Sequence, residues 1–188
     1  MKLRIRNNEL RLLASSLLCL VFISCSTKVV TTKIDLNSRP MKAFDEKKQQ
    51  EILLGEILRT DLKGNPYGWF DSNYAAAKVN DTILPQIKPL LTNDIRIQVV
   101  MGTWCSDSRV QIPHLLKILD AANFPKENIS LYCVDRTKHF PLGAPHEEEI
   151  TNVPTIFFYK GDQRLGKFVE SPHETLEKDV FNILNGNE

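Results

Sequence analysis

Apolar positions along this chain fall into blocks whose spacing changes from one block to the next. Leu12 to Ile23 is an almost unbroken apolar run preceded by basic residues, whereas residues 26–42 (STKVVTTKIDLNSRPMK) are polar and hold no period. In FDEKKQQEILLGEILR, residues 44–59, acidic residues come early and basic ones late, and Ile52, Leu53, Glu56 and Ile57 predict a short amphipathic helix. Turn residues follow at Lys63-Gly64-Asn65-Pro66, then an aromatic group of Tyr67, Trp69, Phe70 and Tyr74. Aromatics so close together serve either as a recognition surface or to pack a peripheral segment onto a core, and the second reading is preferred. NDTILPQIKPLL offers Asn80 or Asp81 as a cap before a helix broken by Pro85 and Pro89.

From residue 95 onward the pattern is sharper. IRIQVVMG, 95–102, reads as a strand that becomes buried towards its end. The stretch from Ser106 to Ala122 places Val110, Ile112, Leu115, Leu116, Ile118 and Leu119 mainly along one side of a helix. NISLYCVD, 128–135, is a second strand. TIFFYKGDQRLGKFVE, 155–170, is two strands joined at Lys160-Gly161-Asp162-Gln163. A last helix is predicted with Ser171 as N-cap, Pro172 at its first position, Glu174 completing a capping box and Gly186 at its end. Two strands joined through a helix run parallel, and the closing hairpin adds antiparallel strands. The expected class is α/β: a central mixed sheet flanked by helices on both faces, with an N-terminal helical and aromatic extension.

Charge alters this picture at the N-terminus. The formal net charge is +1, and without a basic stripe there is no electrostatic case for nucleic-acid binding. Residues 1–24 carry Lys2, Arg4, Arg6 and Arg11 against Glu9, so the remainder stands at −2. Basic residues, then an apolar run too short for the roughly 20 residues of a membrane span, then Ser24 and Ser26, make a secretory signal. VFISCS resembles a bacterial lipoprotein signal, in which a small residue precedes a cysteine that is lipidated and becomes the mature N-terminus. Cys25 is the expected lipid attachment site, although Phe22 departs from the usual aliphatic residue. The implied location is a bacterial cell envelope, lipid-anchored to a membrane. The expected divisions are a signal over 1–24, a tether over 25–43, the extension over 44–80 and the main domain over 81–186.

Of four cysteines, Cys19 lies in the signal and Cys25 carries lipid, which leaves Cys105 and Cys133. Cys105 stands where a strand ends and a helix begins, where free backbone N–H groups and the helix dipole favour an anion. Ser108, about one turn on, is placed to donate a hydrogen bond to a thiolate, while Asp107 opposes negative charge on the sulfur. Cys133 reads as a small buried apolar residue in mid-strand. His114, His139, His146 and His173 are scattered and no paired-cysteine spacing occurs, so no metal site is predicted. No Gly-rich phosphate loop or other cofactor motif is present.

WCSDS, at 104–108, resembles the Trp-Cys-x-x-Cys site of thioredoxins with its second cysteine replaced by serine. Pro113 matches the proline within the first-site helix of that family, and NVPTIFFYKGDQRLGKFVES resembles the segment with its cis-proline and closing hairpin. The resemblance covers residues 81–186 and implies a thioredoxin-like fold. It implies a cis peptide at Pro154, with Val153, Pro154 and Thr155 docking the substrate chain beside Cys105, and Trp104, Ser106 and Asp107 shaping the site. It also exposes two departures. The family's buried acid six residues before the nucleophile is Val99 here, and its lysine neighbour falls at Leu131. Without a resolving thiol or a proton-handling pair, a dithiol cycle is not expected. The expectation is monothiol exchange through Cys105, with protein or low-molecular-weight thiols and disulfides as partners; the alternative is a non-catalytic module that binds peptides or proteins.

Overall fold

The computed structural model describes residues 40–140 and 142–187; the expectations for the signal, for Cys25 and for the tether up to residue 39 lie outside them. Six strands form one sheet in the order β1-β2-β4-β3-β5-β6. They are β1 (Met41–Asp45), β2 (Gln50–Ile57), β3 (Ile95–Met101), β4 (Ile129–Cys133), β5 (Thr155–Lys160) and β6 (Gln163–Val169). Four helices accompany them: α1 (Trp69–Ala76), α2 (Leu84–Ile87), α3 (Ser106–Ala121) and α4 (Leu176–Leu184). Strands β3 and β4 are parallel, joined through α3, and the other neighbouring pairs are antiparallel. Every strand and helix expected after residue 94 is present.

The first expected helix is not. Residues 44–58 form no helix, and Arg59 only opens a 3-10 turn to Leu62: β1 pairs with β2 from Met41↔Leu54 to Asp45↔Gln50, and β2 then pairs with β4 from Gly55↔Cys133 to Ile57↔Leu131. The cause is two-sided burial. Leu53 and Ile57 face one core, and Ile52 and Leu54 face the other, so the apolar run is consecutive and its period does not separate strand from helix. The acid-to-base charge order that suggested a dipole comes instead from the exposed turn Glu46–Gln49 between the strands. Residues 41–57 therefore extend the same sheet as residues 95–169.

Strand alternation divides the interior into two clusters. Ile97, Val99, Met101, Ile156 and Phe158 face one side, with Ile112, Leu115, Leu119, Phe70, Ile87, Val180 and Ile183 from the four helices packed against them. Val100 and Phe157 face the other side, together with Ile52, Leu54, Val134, Phe140, Ala144, Ile150 and Val153. Phe157 and Phe158 are each fully buried, and a phenyl ring so placed contributes about 1.5–3 kcal/mol. Helices on both faces were expected, but among the described residues all four pack on the first face. The second is closed by residues 134–140 and 142–153, whose only regular element among the described residues is the single 3-10 turn Glu147–Glu149. Gly143 at φ +80 and Pro145 interrupt any helix there.

The aromatic group packs inward, as preferred: Tyr67 and Phe70 are buried, and Tyr74 donates to Asp120 of α3 at 2.7 Å. The last helix begins four residues later than expected, because Thr175 rather than Ser171 is the N-cap, with its hydroxyl accepting from Lys178 N at 3.2 Å. No described helix is long and apolar enough to cross a membrane.

Candidate functional site

Cys105 is the N-cap of α3, half-buried, with its backbone extended at φ −86, ψ 131. The Val153–Pro154 peptide is cis, and the turn brings the Val153 carbonyl to the sulfur: Cys105 Sγ donates to Val153 O at 3.1 Å. Two segments 48 residues apart in sequence thus meet at one atom. Thr155 anchors the turn, its hydroxyl donating to Asn152 O at 2.7 Å, and Val153 is itself only 3% exposed. The backbone carbonyl of Val153, not its side chain, faces the site.

The remaining expected site residues fall around this pair. Asp107 Oδ2 lies 4.0 Å from the sulfur, and Ser106 is exposed at the start of α3. Ser108 does not make the bond expected of it. It is fully buried, and its hydroxyl accepts from Gly102 N at 3.2 Å instead of reaching the sulfur. The serine at the second-cysteine position therefore ties the end of β3 to α3. The two departures inside the sheet face each other directly, since Val99 and Leu131 are register partners in adjacent strands and both are buried.

Cys133 is fully buried, and burial pushes its thiol well above the ordinary range, with Asp61 adding to the effect. It closes β4 rather than lying in mid-strand, but both thiols are free. Cys133 belongs to the helix-covered cluster, whereas Cys105 packs against the other. It is a small buried core residue, as expected from the sequence.

Trp104 is held from three sides, which sequence reasoning did not foresee. Its indole Nε1 donates to Val134 O at 2.9 Å. The Arg136 guanidinium lies 4.7 Å from its ring centroid, within cation–π range. Arg136 is clamped by Asp45 at the end of β1, with Nε donating to Oδ1 and Oδ2 at 3.0 and 3.1 Å and Nη2 to Oδ2 at 2.8 Å. Asp45 is 5% exposed and also accepts from the backbone of Lys47 and Lys48. Burial pushes its carboxyl up, but Arg136 and the backbone donors outweigh it and hold it below the ordinary carboxylate range. Below the indole, Gly102 leaves no room for a side chain: a Cβ there would meet the Trp104 ring at 2.6 Å.

Pro113 lies inside α3 and supplies no N–H to the carbonyl four residues back. That carbonyl belongs to Arg109, and it accepts from Asn73 Nδ2 of α1 at 2.8 Å instead. The proline thus frees an acceptor that fastens the N-terminal helix to the site helix.

Of the scattered histidines, His146 comes together with Glu148 and Glu149, their ligand-type atoms lying within 4.8 Å of one another. Glu149 already takes both its oxygens to Arg164 at 2.8 and 2.9 Å, and His146 Nε2 bonds the Tyr159 hydroxyl. His146 and Glu149 are thus held in an ion-pair and hydrogen-bond network, and Glu148 is exposed.

No family model matches the chain, and no curated protein matches it. Among solved structures, a Pseudomonas aeruginosa protein of unknown function shares 16% identity over 70% of this chain and 87% of its own, with a TM-score of 0.46. Mitochondrial thioredoxin 3 from Saccharomyces cerevisiae, in its oxidized form, shares 27% identity over 57% of this chain and 96% of its own, with a TM-score of 0.35. A chain from a structure on thiol resolution in yeast mitochondrial 1-Cys peroxiredoxin shares 27% identity over 57% and 95%, again with a TM-score of 0.35. Overall superposition is loose in each case, and it is local architecture that defines the class. With β3 and β4 parallel through α3, the antiparallel β5–β6 hairpin closing the sheet, and Cys105 facing the cis turn at Pro154, the chain has a thioredoxin-like fold.

Proposed function

We propose that this protein carries out monothiol thiol–disulfide exchange through Cys105. The observation that supports the reading most directly is the half-exposed sulfur at the N-terminus of α3, 3.1 Å from the carbonyl preceding cis Pro154. A thiol placed at a helix N-terminus has its anion favoured by free N–H groups, and an extended substrate chain lying along the Val153 turn would bring its own sulfur to the same point. Cys105 first loses its proton to solvent. The thiolate attacks one sulfur of a disulfide, forming a Cys105 mixed disulfide and expelling the other half as a thiolate. An external thiolate then attacks the substrate sulfur, giving a new disulfide and returning Cys105. Net oxidation state is unchanged, which suits isomerase-like shuffling of protein or low-molecular-weight thiols and disulfides. Ser108 cannot resolve the intermediate, and Cys133, buried behind the sheet, is not placed to do so.

Residues 1–24 act in this reading as a lipoprotein signal, with Cys25 lipidated and the domain held at a bacterial envelope membrane. Incorporation of labelled fatty acid that disappears in Cys25→Ala checks this; incorporation that persists contradicts it.

One observation favours a binding module without turnover: the Asp107 carboxylate 4.0 Å from the sulfur opposes a thiolate. Exposure to oxidised glutathione separates the two readings. Exchange predicts an adduct on Cys105 that a second thiol releases, and none in Cys105→Ala. A wild-type protein that forms no adduct favours the binding module.

A further inference from the structure

Resting on the exchange reading, we infer that Arg109 is the positioning residue that supplies counter-charge to the Cys105 thiolate, the service a buried acid and lysine pair does not provide in this sheet. Arg109 sits one turn beyond Cys105 on α3, its backbone N–H bonded to Cys105 O at 3.1 Å. Its Nε donates to Thr103 O at 2.7 Å, so the guanidinium is locked beneath the loop that carries Trp104 and Cys105. Thr103 is in turn fully buried, and its hydroxyl accepts from Leu53 N of β2 at 3.1 Å. On its other side the guanidinium lies 5.4 Å from the Trp69 ring centroid of α1.

What distinguishes this cation is that, among the described residues, no carboxylate forms an ion pair with it. Its Nη2 is buried and has no hydrogen-bond partner. The other cation at the site, Arg136, is paired with Asp45. A buried guanidinium nitrogen without a partner is costly, and negative charge arising nearby relieves that cost. Burial pushes Arg109 below its ordinary range, while charge at Cys105 and at Asp45 pulls it back up. The relief is reciprocal, because what Cys105 does for Arg109 it receives in return. The charged groups around Cys105 are Asp107 and Arg109 on its own helix, of opposite sign, and beyond Trp104 the closed ion pair of Arg136 with Asp45.

The test is the rate of Cys105 alkylation by iodoacetamide in the full chain between pH 6 and pH 10, resolved by peptide mass. Arg109→Gln is expected to slow alkylation at pH 7 by about tenfold, the low end of what losing one nearby opposite charge does, while the rate at pH 10 stays at the wild-type value. Arg109→Lys, which keeps the charge but not the planar clamp on Thr103, is expected to follow the wild-type profile. A merely structural role would change the rate by the same factor at every pH. That outcome overturns the inference, as does an Arg109→Gln profile that coincides with wild type. Cys133 alkylation in the same sample reports unfolding. If it appears in Arg109→Gln, the decision passes to Arg109→Lys, where a displaced profile contradicts the inference and a wild-type profile supports it. The exchange reading is judged separately: it fails if wild-type Cys105 reacts at pH 7 no faster than free glutathione.

Discussion

At the scale of single residues, the site is a sulfur and an indole held by partners drawn from distant parts of the chain. Cys105 was visible in the sequence because a strand-to-helix junction is where a thiolate is favoured, and Pro154 because of its resemblance. Asp45 and Arg136 were not visible, since each is an ordinary charge in a polar stretch until the fold brings them to 2.8 Å. Ser108 was read as a thiolate donor, but an element end needed its hydroxyl more: an unpaired Gly102 N–H in a buried place would cost about 1–3 kcal/mol. Asp45 carries a pH dependence whose sign follows from its depressed carboxyl. Its stabilising contribution is complete above the unfolded carboxylate value of about 3.9, and it is lost as pH falls through the lower folded value. With Trp69 replaced by Phe, Trp104 is the only fluorophore of its kind. Its emission is expected to hold steady down to about pH 4 and to shift below it. Asp45→Asn is expected to show the shifted emission already at neutral pH; an unchanged spectrum would remove Asp45 from any role in orienting Trp104.

At the scale of elements, the legible segments were those with one buried face. Helix α3 shows its period because one side meets the core, although Val110, counted there on the buried side, is 54% exposed. Strand β2 was misread because both its faces are covered, which erases the alternation that marks a strand. The covering of the second sheet face was equally hidden: segment 134–153 does it with isolated apolar residues, Phe140, Ala144, Ile150 and Val153, that follow no period. The join between α1 and α3 depends on a carbonyl that only Pro113 sets free. Asn73→Ala is expected to leave Arg109 O unpaired and to lower unfolding stability in denaturant by about 1–2 kcal/mol. Pairing that change with Pro113→Ala, which returns the helical N–H to the same carbonyl, is expected to recover part of the loss. If the two effects simply add, Asn73 and Pro113 do not share that acceptor.

At the scale of the whole molecule, the fold retains the placement of a thioredoxin-like site and changes what surrounds it. The sheet is widened by β1 and β2, whose Asp45 holds the Arg136 that lies over Trp104, and its core carries apolar Val99 and Leu131 at directly paired positions. Under the exchange reading, Cys105 is the nucleophile and the Val153 turn the docking edge, and among the described residues no second thiol is placed to finish a dithiol cycle. The decisive measurement is the lifetime of the glutathione adduct on Cys105 after excess oxidised glutathione is removed, followed by intact mass in wild type and in Ser108→Cys. The account predicts an adduct that persists in wild type until an external thiol is added, and one that in Ser108→Cys collapses without added thiol into a disulfide between the two site cysteines. A wild-type adduct that discharges unaided, or a Cys105 that never forms one, would contradict single-thiol exchange.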